Sequence, residues 1–334
     1  MRDTINWGFV STGDMAAAMA RAFEFQEGSR ILSVCSRSAE RARAFAAEHG
    51  IERHHGDMDR FLSDDEVDVV YVASTANAHF PQVMAALEAG RHVVCEKPLT
   101  LTAEQARVCR NEAESRGLFL MEAVWMRFFP LMDRLRDLLA SGEIGEPRHV
   151  AADFFLDIRD SGHRLLDPEK AGGALLDLGL YPLNLARMVL GPTEDIRGHA
   201  RLGDSGVDIL DTMSVRATGG GSASLGCGLV GAKPMEAVLT GSDGCVKIHD
   251  IFFRPDSMTL QYGRPESEFI RMPYLGNGYP HEILHVEECL RSGLTDSPLM
   301  PMEETVDVLS LMDAFRGACG IRFPQSDEST EYRP

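Results

Sequence analysis

The first third of the chain, from Thr4 to about Leu120, alternates between two kinds of segment. Short runs rich in β-branched residues, such as RILSVCS and DVVYVAS, are each followed by a longer segment with helical periodicity, such as AERARAFAAEHG and HFPQVMAALEAG. The runs HVVCEK and TAEQARVCRNEAESRG repeat the alternation. Strands that regularly alternate with helices require right-handed crossovers and form a parallel sheet covered on both faces. This part of the chain is therefore predicted to be a doubly wound α/β domain.

Beyond about residue 145 the alternation stops. Five runs separated by short Gly, Asp or Pro turns are predicted to be strands: RHVAADFFLDI, DILDTMSVRAT, SASLGCGLVG, EAVLTGS and CVKIHDIFF. Three helices are predicted around them: GALLDLGLYPLNLARMVLG, HEILHVEECLRSG and EETVDVLSLMDAFRGAC. We predict an α+β domain with a large, mostly antiparallel open sheet. The expected division is 1–122 and 123–334, with the last helices packing back near the first domain and 325–334 disordered.

The charge balance limits the partners. The 334 residues include 33 Lys and Arg against 51 Asp and Glu, a net charge of −18. The electric field of this net negative charge repels polyanions, so we expect no nucleic-acid partner. An anionic ligand must be held by local amides and individual arginines. The seven cysteines lack metal-like spacing, the first residues lack a signal-peptide pattern, and no run reaches the roughly 18 apolar residues that span a bilayer. We expect a cytoplasmic protein without a membrane partner.

The turn after the first predicted strand is a candidate nucleotide site. A dinucleotide-binding turn has glycine at three places, which here hold Ser11, Gly13 and Ala16. Gly13 preserves the close approach of the backbone to a pyrophosphate, and the free amides of the following helix supply an anion site. Taken alone, the motif is equally compatible with an ordinary strand-to-helix turn, and Ser11 is strained if its φ is positive. The predicted cofactor contacts in this turn are Ser11, Thr12, Gly13, Asp14 and Met15.

The end of the second predicted strand bears on the choice of cofactor. Ser36 and Arg37 stand there, with Arg41 shortly after, and the nearest acidic residue is Glu40. An acidic residue at this place holds the ribose 2′-hydroxyl of NAD, whereas arginine suits a 2′-phosphate. The pattern therefore favours NADP, with NAD remaining possible. The alternative is that Arg37 and Arg41 belong to a solvated helix start.

A lysine follows the strand HVVCE. Glu96, Lys97 and Pro98 stand where an open α/β sheet places its ligands. A partly desolvated lysine has a lowered pKa and can donate to a substrate oxygen. The alternative is a surface lysine before a turn-forming proline, and the sequence does not decide whether that proline is cis.

These motifs occur together and in order over nearly the whole chain, joined by VYVASTANAHF, EAVWMRFFP and GGALLDLGLYPLNLARMVLG. The chain thereby resembles the glucose-fructose oxidoreductase, inositol dehydrogenase and MocA family, in its branch of dihydrodiol and NADP-dependent sugar dehydrogenases. The resemblance implies a Rossmann-like first domain and a cofactor-dependent oxidoreductase without a metal. The family commonly has glycine in place of Ser11 and proline in place of Ala76.

The resemblance also implies roles for individual residues. It implies that Lys97 lies between nicotinamide and substrate. The family's Asp-x-Gly-x-Tyr pattern appears as Asp177 to Tyr181, which makes both ends of the pattern catalytic and substrate-binding candidates. Further residues match positions near the cofactor: Thr75, Asn77, His79, Glu96, Glu122, Trp125 and Arg127.

The residue chemistry agrees with these roles. Asp177 and Tyr181 share one face of a helix because they are four residues apart. A tyrosine becomes a usable acid or base when a cation stabilises its phenolate, and Lys97 could supply that cation. Tyr181 would then take a hydroxyl proton in oxidation, and Asp177 would orient a second hydroxyl or Lys97. The alternative assigns Asp177 to a helix first turn and Tyr181 to the edge of the core.

Other features have open alternatives. His163 and Arg164 could contact substrate oxygens or belong to a surface loop. His281 and His285 formally match the H-E-x-x-H pattern of zinc hydrolases, but no third ligand is in view and no metal is predicted. If helices cover only one side of the second sheet, an exposed apolar face would mark an oligomer interface, so a homodimer or tetramer is expected.

We predict an NAD(P)-dependent dehydrogenase or reductase that acts on a sugar, polyol or vicinal diol. The rival prediction is a non-catalytic NADP-binding regulator of the same fold.

Overall fold

Two sheets organise residues 4–158, 162–263 and 267–324, the part of the chain that this computed structural model describes. The predicted disorder of 325–334 concerns residues outside these ranges. Within them, no helix is both long and apolar enough to span a membrane.

The first sheet is parallel throughout, as predicted. Its strands are β1 (Ile5–Val10), β2 (Ser29–Cys35), β3 (Arg53–His55), β4 (Val69–Val72), β5 (His92–Glu96) and β6 (Leu120–Ala123). The connecting helices are α1 (Asp14–Ala22), α2 (Ala39–His49), α3 (Met58–Leu62), α4 (Ala76–Glu88) and α5 (Ala103–Arg116). The order β3-β2-β1-β4-β5-β6 reverses between β1 and β4, and open α/β sheets bind ligands at such a reversal.

Local sequence explains the sharp boundaries of these elements. Ser38 accepts a hydrogen bond from the Arg41 amide at the start of α2, and Gly50 ends the helix at a φ of 66°. Gly8 lets β1 pack closely, because an added Cβ would come within 2.6 Å of Phe61. Helix caps and a glycine at a close approach thus hold the sheet that carries the ligand crevice.

The second sheet has eight strands in the order β14-β13-β12-β11-β7-β10-β9-β8. They are β7 (Pro147–Phe155), β8 (Thr193–Leu202), β9 (Asp208–Ala217), β10 (Ser222–Gly228), β11 (Ala237–Gly241), β12 (Cys245–Ile248), β13 (Ser257–Gln261) and β14 (Ser267–Arg271). Neighbouring strands are antiparallel except β7 and β10, so the mostly antiparallel sheet is confirmed. The sequence analysis missed β8, β13 and β14. They form the two ends of the sheet, where the apolar alternation is weakest.

Four further α-helices follow the first sheet in the described residues, and two of them pack on one face of the second sheet. The four are α6 (Pro130–Ser141), α7 (Leu180–Leu190), α8 (Tyr279–Arg291) and α9 (Met302–Cys319). A π-helical turn, Leu175–Gly179, leads directly into α7, so the single helix predicted there has two geometries. Helix α8 packs on α1 and α9 packs on α5. Helix α6 was not predicted.

The other face of the eight-stranded sheet is open and largely polar. One row of paired residues crosses the whole sheet on this face: Arg197, Ser214, Ser224, Ala151, Val238, Lys247, Thr259 and Phe269. Of these, only Ala151, Val238 and Phe269 are apolar. The expectation of an apolar open face is therefore wrong for the described strands, because serine, threonine and charged side chains occupy most outward positions.

Candidate active site

The candidate site lies at the carboxyl ends of the first sheet. Ser11 follows β1, Ser74 follows β4, and Lys97 follows β5. The peptide bond between Lys97 and Pro98 is cis. Residues from three neighbouring strands therefore meet at the reversal in strand order.

The turn after β1 has the geometry of an anion site. Ser11 has a φ of 113°, and its Oγ accepts a hydrogen bond from the Gly13 amide at 3.2 Å. No side chain caps the start of α1, so its first amides are available to a ligand. Gly13 is exposed, and an added Cβ would meet only Ser11 Oγ, at 3.5 Å. Thr12 is half-buried, whereas Asp14 and Met15 are exposed on the same rim.

The residues after β2 fit the ribose end of a dinucleotide. The Ser36 amide donates to the His55 carbonyl at 3.1 Å, and the Ser36 Oγ accepts from the Ser38 amide at 3.4 Å. Arg37 and Arg41 are exposed, and neither pairs with a carboxylate within the described ranges. Unpaired guanidinium groups beside free helix amides fit a cofactor with a 2′-phosphate.

Lys97, Asp177 and Arg164 form one cluster. Lys97 Nζ donates to Asp177 Oδ1 at 2.9 Å and to the Asp177 carbonyl at 3.0 Å. Arg164 donates to both carboxylate oxygens of Asp177 at 3.1 Å. The side chains of Lys97 and Asp177 are 13% and 17% exposed, whereas that of Arg164 is 54% exposed. The cluster therefore has a buried ion pair and an outer arginine that faces solvent.

The charges in this cluster change its titration. Burial is the largest single effect on the pKa of Lys97 and lowers it. The charge and hydrogen bond of Asp177, with smaller effects of Tyr181 and Glu96, together outweigh burial and raise that pKa above its ordinary value. The lowered lysine pKa expected from the sequence is therefore wrong, because the partner carboxylate was not visible in the motif. Burial alone raises the pKa of Asp177, and Lys97 and Arg164 together hold it below its ordinary range. Lys97 is an ammonium group and Asp177 a carboxylate at neutral pH.

Tyr181 lies next to this cluster. Its Oη accepts a hydrogen bond from Trp125 Nε1 at 3.1 Å, and Lys97 Nζ lies 5.3 Å from the centre of its ring. Phe154 and Phe253 pack on the same ring at centroid distances of 5.6 and 5.1 Å. Burial raises the pKa of Tyr181 well above its ordinary value, although Lys97 lowers it. The expected stabilisation of the phenolate by Lys97 exists but is weaker than the effect of burial.

Several residues expected at the cofactor lie behind the wall of the site. His79 is buried, and its ring nitrogens face the carbonyls of Pro98 at 2.7 Å and Ser74 at 3.1 Å. Burial lowers the pKa of His79, and the two carbonyls oppose that effect. Glu96 is buried against the Tyr71 hydroxyl. These contacts suit His79 and Glu96 to position the segment that carries Lys97 rather than to touch a ligand.

Arg127 and Glu122 are also buried in the wall. Arg127 donates to Glu304 at 2.7 Å and to the Asn184 side chain at 3.1 Å. Glu122 accepts the Leu99 amide and the Thr305 hydroxyl, both at 2.9 Å. The predicted contact of Arg127 with a cofactor does not fit these partners, because the guanidinium is turned toward α7 and α9.

The remaining candidates line the mouth. Thr75 is exposed at the start of α4, and Asn77 donates to the Glu169 carbonyl at 3.4 Å. The Leu165 amide donates to His163 Nδ1 at 3.3 Å, so His163 caps a short helical turn beside Arg164. Sequence reasoning missed Tyr279, which stacks on Trp125 with ring centroids 4.7 Å apart. Tyr279 belongs to α8, far along the chain, and no motif marks it.

The histidines of the HEILH segment do not converge. His281 Nε2 accepts the Leu275 amide at 2.9 Å, and His285 Nε2 lies 2.7 Å from the Ser297 hydroxyl. Across the described residues no group of three or more metal-ligating side chains occurs.

Comparisons with known proteins agree with this geometry. Residues 5–124 match the model of the oxidoreductase family with an NAD-binding Rossmann fold, and residues 132–247 match the GFO/IDH/MocA C-terminal domain. Fold and site together define an NAD(P)-dependent oxidoreductase. The chain belongs to the GFO/IDH/MocA family.

Its relatives cover almost the full length. Trans-1,2-dihydrobenzene-1,2-diol dehydrogenase of Bos taurus is 33% identical over 331 residues, which is 96% of this chain and 98% of the relative. The enzyme of the same name from Mus musculus is 34% identical over 335 residues, with the same coverage. A 3-ketoreductase from Actinomadura kijaniata, solved with NADP and TDP-benzene, superposes with a TM-score of 0.83 at 28% identity, covering 95% of this chain and 98% of the ketoreductase.

Proposed function

We propose that this oxidoreductase transfers hydride between NADP and one CH–OH or C=O carbon of a small sugar, polyol or vicinal diol. The observation that carries the proposal is the meeting of Lys97, Asp177 and Tyr181 beside the reversal in strand order. The names of the curated relatives support a diol, and the solved ketoreductase supports a sugar-like ketone. When bound, the nicotinamide supplies or accepts the hydride.

We propose that the turn after β1 and the arginines after β2 hold the cofactor. The amides that open α1 are suited to the pyrophosphate, and Arg37 with Arg41 to the 2′-phosphate. Ser36 and Thr75 line the same rim and would contact the cofactor at its edge. This arrangement favours NADP over NAD, because no acidic side chain from the end of β2 is available for the ribose 2′-hydroxyl.

Tyr181 is proposed to exchange a proton with the substrate oxygen, and Lys97 to donate a hydrogen bond to the same oxygen. Two Lys97 hydrogens bond to Asp177, which leaves the third for a ligand. The Tyr181 hydroxyl accepts from Trp125 and has no acceptor for its own hydrogen among the described residues. In reduction Tyr181 donates a proton to the carbonyl oxygen while Lys97 stabilises the developing charge; in oxidation Tyr181 takes the hydroxyl proton.

Asp177 and Arg164 are proposed to hold a second substrate oxygen. The carboxylate accepts from an incoming hydroxyl while keeping Lys97 oriented. The more exposed Arg164 can rotate toward a substrate, because half of its side chain already faces solvent. A site with separate groups for two oxygens suits a vicinal diol or hydroxyketone better than a simple alcohol.

We also propose that the protein is cytoplasmic and that its domains are residues 1–122 and 123–334. We propose further that it forms a homodimer or tetramer through the open sheet. The polar row across that sheet supports an interface built on hydrogen bonds rather than apolar contact. Light scattering of a Thr259→Arg variant would test this interface. A large charged side chain at Thr259, on the polar row, should dissociate the oligomer.

The function is tested by a turnover screen over aldoses, inositols, anhydrosugars and dihydrodiols with NADP and with NAD. Lys97→Ala and Tyr181→Phe should lower kcat at least about 100-fold. Tyr262→Phe, on an exposed side chain outside the site and outside the polar row, is the matched control. Bound NADP without turnover of any substrate would favour the non-catalytic regulator instead.

A further inference from the structure

Two buried carboxyl groups lie beneath the segment that carries Asp177. Asp208 and Asp211 are both 0% exposed, although they begin a strand whose outer positions are open. Residues three apart normally point to opposite faces of a strand. Here the pairing shifts, since Leu202 faces Asp208 and Arg201 faces Leu210, so one residue of β9 is unpaired. This bulge turns both carboxyl groups toward the same interior face.

The pair contacts the start of the π-helical turn. The Leu175 amide donates to Asp208 Oδ2 at 2.6 Å in a buried setting. Gly173 passes so close that an added Cβ would collide with Asp208 Oδ1. Asp208 therefore acts as a cap supplied by a distant strand for a helix start that has no side-chain cap of its own.

The same network reaches the other end of the turn. Cys227 Sγ on β10 donates to Asp211 Oδ2 at 3.4 Å. Cys227 Sγ also lies 3.0 Å from the place of a Cβ on Gly179, the last residue of the turn. The network thus contacts the first and the last residue of Leu175–Gly179, and Asp177 stands midway between them.

The two buried carboxyl groups interact directly, because the charge of Asp208 raises the pKa of Asp211. A proton on one of them lets that group donate to the other. Their Oδ1 atoms are buried and have no other donor within the described part of the chain. Asp208 accepts a helix-start amide, which favours its charge, whereas Asp211 accepts only a thiol. Burial, followed by the charge of Asp208, raises the pKa of Asp211 to about 9. The proton therefore belongs to Asp211 at neutral pH.

We infer that Asp208 and Asp211, sharing one proton, are positioning residues that hold the π-helical turn in place and thereby aim Asp177 at Lys97. They touch neither substrate nor cofactor. This inference rests on the proposed function for its catalytic consequence, but the placement of Asp177 can be measured without turnover.

Paired variants test the inference. Asp211→Asn supplies a neutral donor to Asp208 in place of the acid proton and should keep kcat within about threefold of the wild type. Asp211→Ala and Asp208→Ala break the network and should lower kcat roughly 10- to 100-fold, since small misplacements of catalytic groups are costly. The dissociation constant for NADP should change little, because the nucleotide turn belongs to the other sheet.

Two readouts separate the possible failures. A crystal structure of Asp208→Ala or Asp211→Ala should have the Asp177 carboxylate displaced from Lys97, whether or not a substrate is known. A well-folded Asp208→Ala with Asp177 unmoved and kcat unchanged would overturn the inference. So would an Asp211→Asn variant as impaired as Asp211→Ala. If the wild type turns over no substrate but Asp177 is displaced in the variants, the proposed function fails and the inference stands.

Discussion

Lys97 donates to both the side chain and the backbone carbonyl of Asp177, at 2.9 and 3.0 Å. The ammonium group thereby makes both hydrogen bonds to one residue of the π-helical turn and none, within the described residues, to an exposed surface carboxylate. The orientation of Lys97 depends on a segment 80 residues further along the chain.

Asp177→Asn should move the pH profile of carbonyl reduction to lower pH. Asp177 contributes the largest of the effects that raise the pKa of Lys97, so without its charge burial counts for more and that pKa falls below its value in the wild type. Lys97 then loses its proton earlier as pH rises, so reduction fails at a lower pH than in the wild type. The profile of kcat against pH measures this. Asp167→Asn, a half-buried carboxylate in the same region that pairs with Lys170 and not with Lys97, is the control and should leave the profile in place.

The two reaction directions should differ in how they depend on pH: oxidation should speed up as pH rises, whereas Tyr181 should give reduction no pH dependence in the neutral range. Burial keeps Tyr181 protonated well above its ordinary pKa, so a proton donor for reduction is present throughout the neutral range. Oxidation needs the deprotonated group, and its rate should therefore rise with pH. Steady-state rates in both directions between pH 6 and 10 test this. Oxidation that is insensitive to pH would argue against Tyr181 as the base.

Arg37→Ala should raise the KM for NADP roughly 10- to 100-fold, the effect of losing a charge-assisted hydrogen bond. The KM for NAD should change little, because NAD lacks the 2′-phosphate. Arg43→Ala, on an exposed position of α2, is the matched control. Equal effects on both cofactors would remove Arg37 from the 2′-phosphate site.

Ser11→Gly should preserve NADP binding and raise stability. The φ of 113° at Ser11 is strained for a side chain by about 1 to 3 kcal/mol, and glycine relieves that strain. Ser11→Ala keeps the strain and loses the hydrogen bond to the Gly13 amide, so it should be less stable than the glycine variant. Thermal unfolding and NADP titration measure both effects. A large loss of NADP affinity in both variants would identify the hydroxyl as a ligand.

Glu122→Gln should flatten the dependence of stability on pH. Burial raises the pKa of Glu122 from 4.5 to about 7. Its contribution to stability is fully present below pH 4.5 and is lost as pH rises through 7, a change of about 3 kcal/mol at most. The glutamine variant cannot ionise, so its free energy of unfolding should fall less over this range. Denaturant titrations at pH 5 and 8 compare the two, and parallel pH curves would contradict the assignment.

The alternation of segments was sufficient to predict the parallel sheet, because that signal is local and repeats. Lys97, Asp177 and Tyr181 were also found from motifs, and the structure brings them together. The directions in which the pKa values of Lys97 and Tyr181 shift could not be predicted. Each shift combines the effect of burial with the effects of charges on distant elements. Arg164 was expected at a substrate, but its pairing with Asp177 depends on loop geometry that leaves no pattern. The Asp208 and Asp211 pair was invisible for a similar reason, since a single unpaired residue in β9 decides where both point.

The position of β7 has a consequence for how the chain folds. Ala151 in β7 pairs with Ser224 in parallel and with Val238 in antiparallel orientation, so neither neighbour of this central strand is adjacent to it in the chain. Strands β8 to β10 can pair as consecutive neighbours, and so can β11 to β14. Strand β7 can take its place in the sheet only when both β10 and β11 are available to pair with it. Closing such long loops is slow. We expect the active-site turn, which lies between β7 and β8 in the chain, to be ordered only after a nascent chain has emerged through β11.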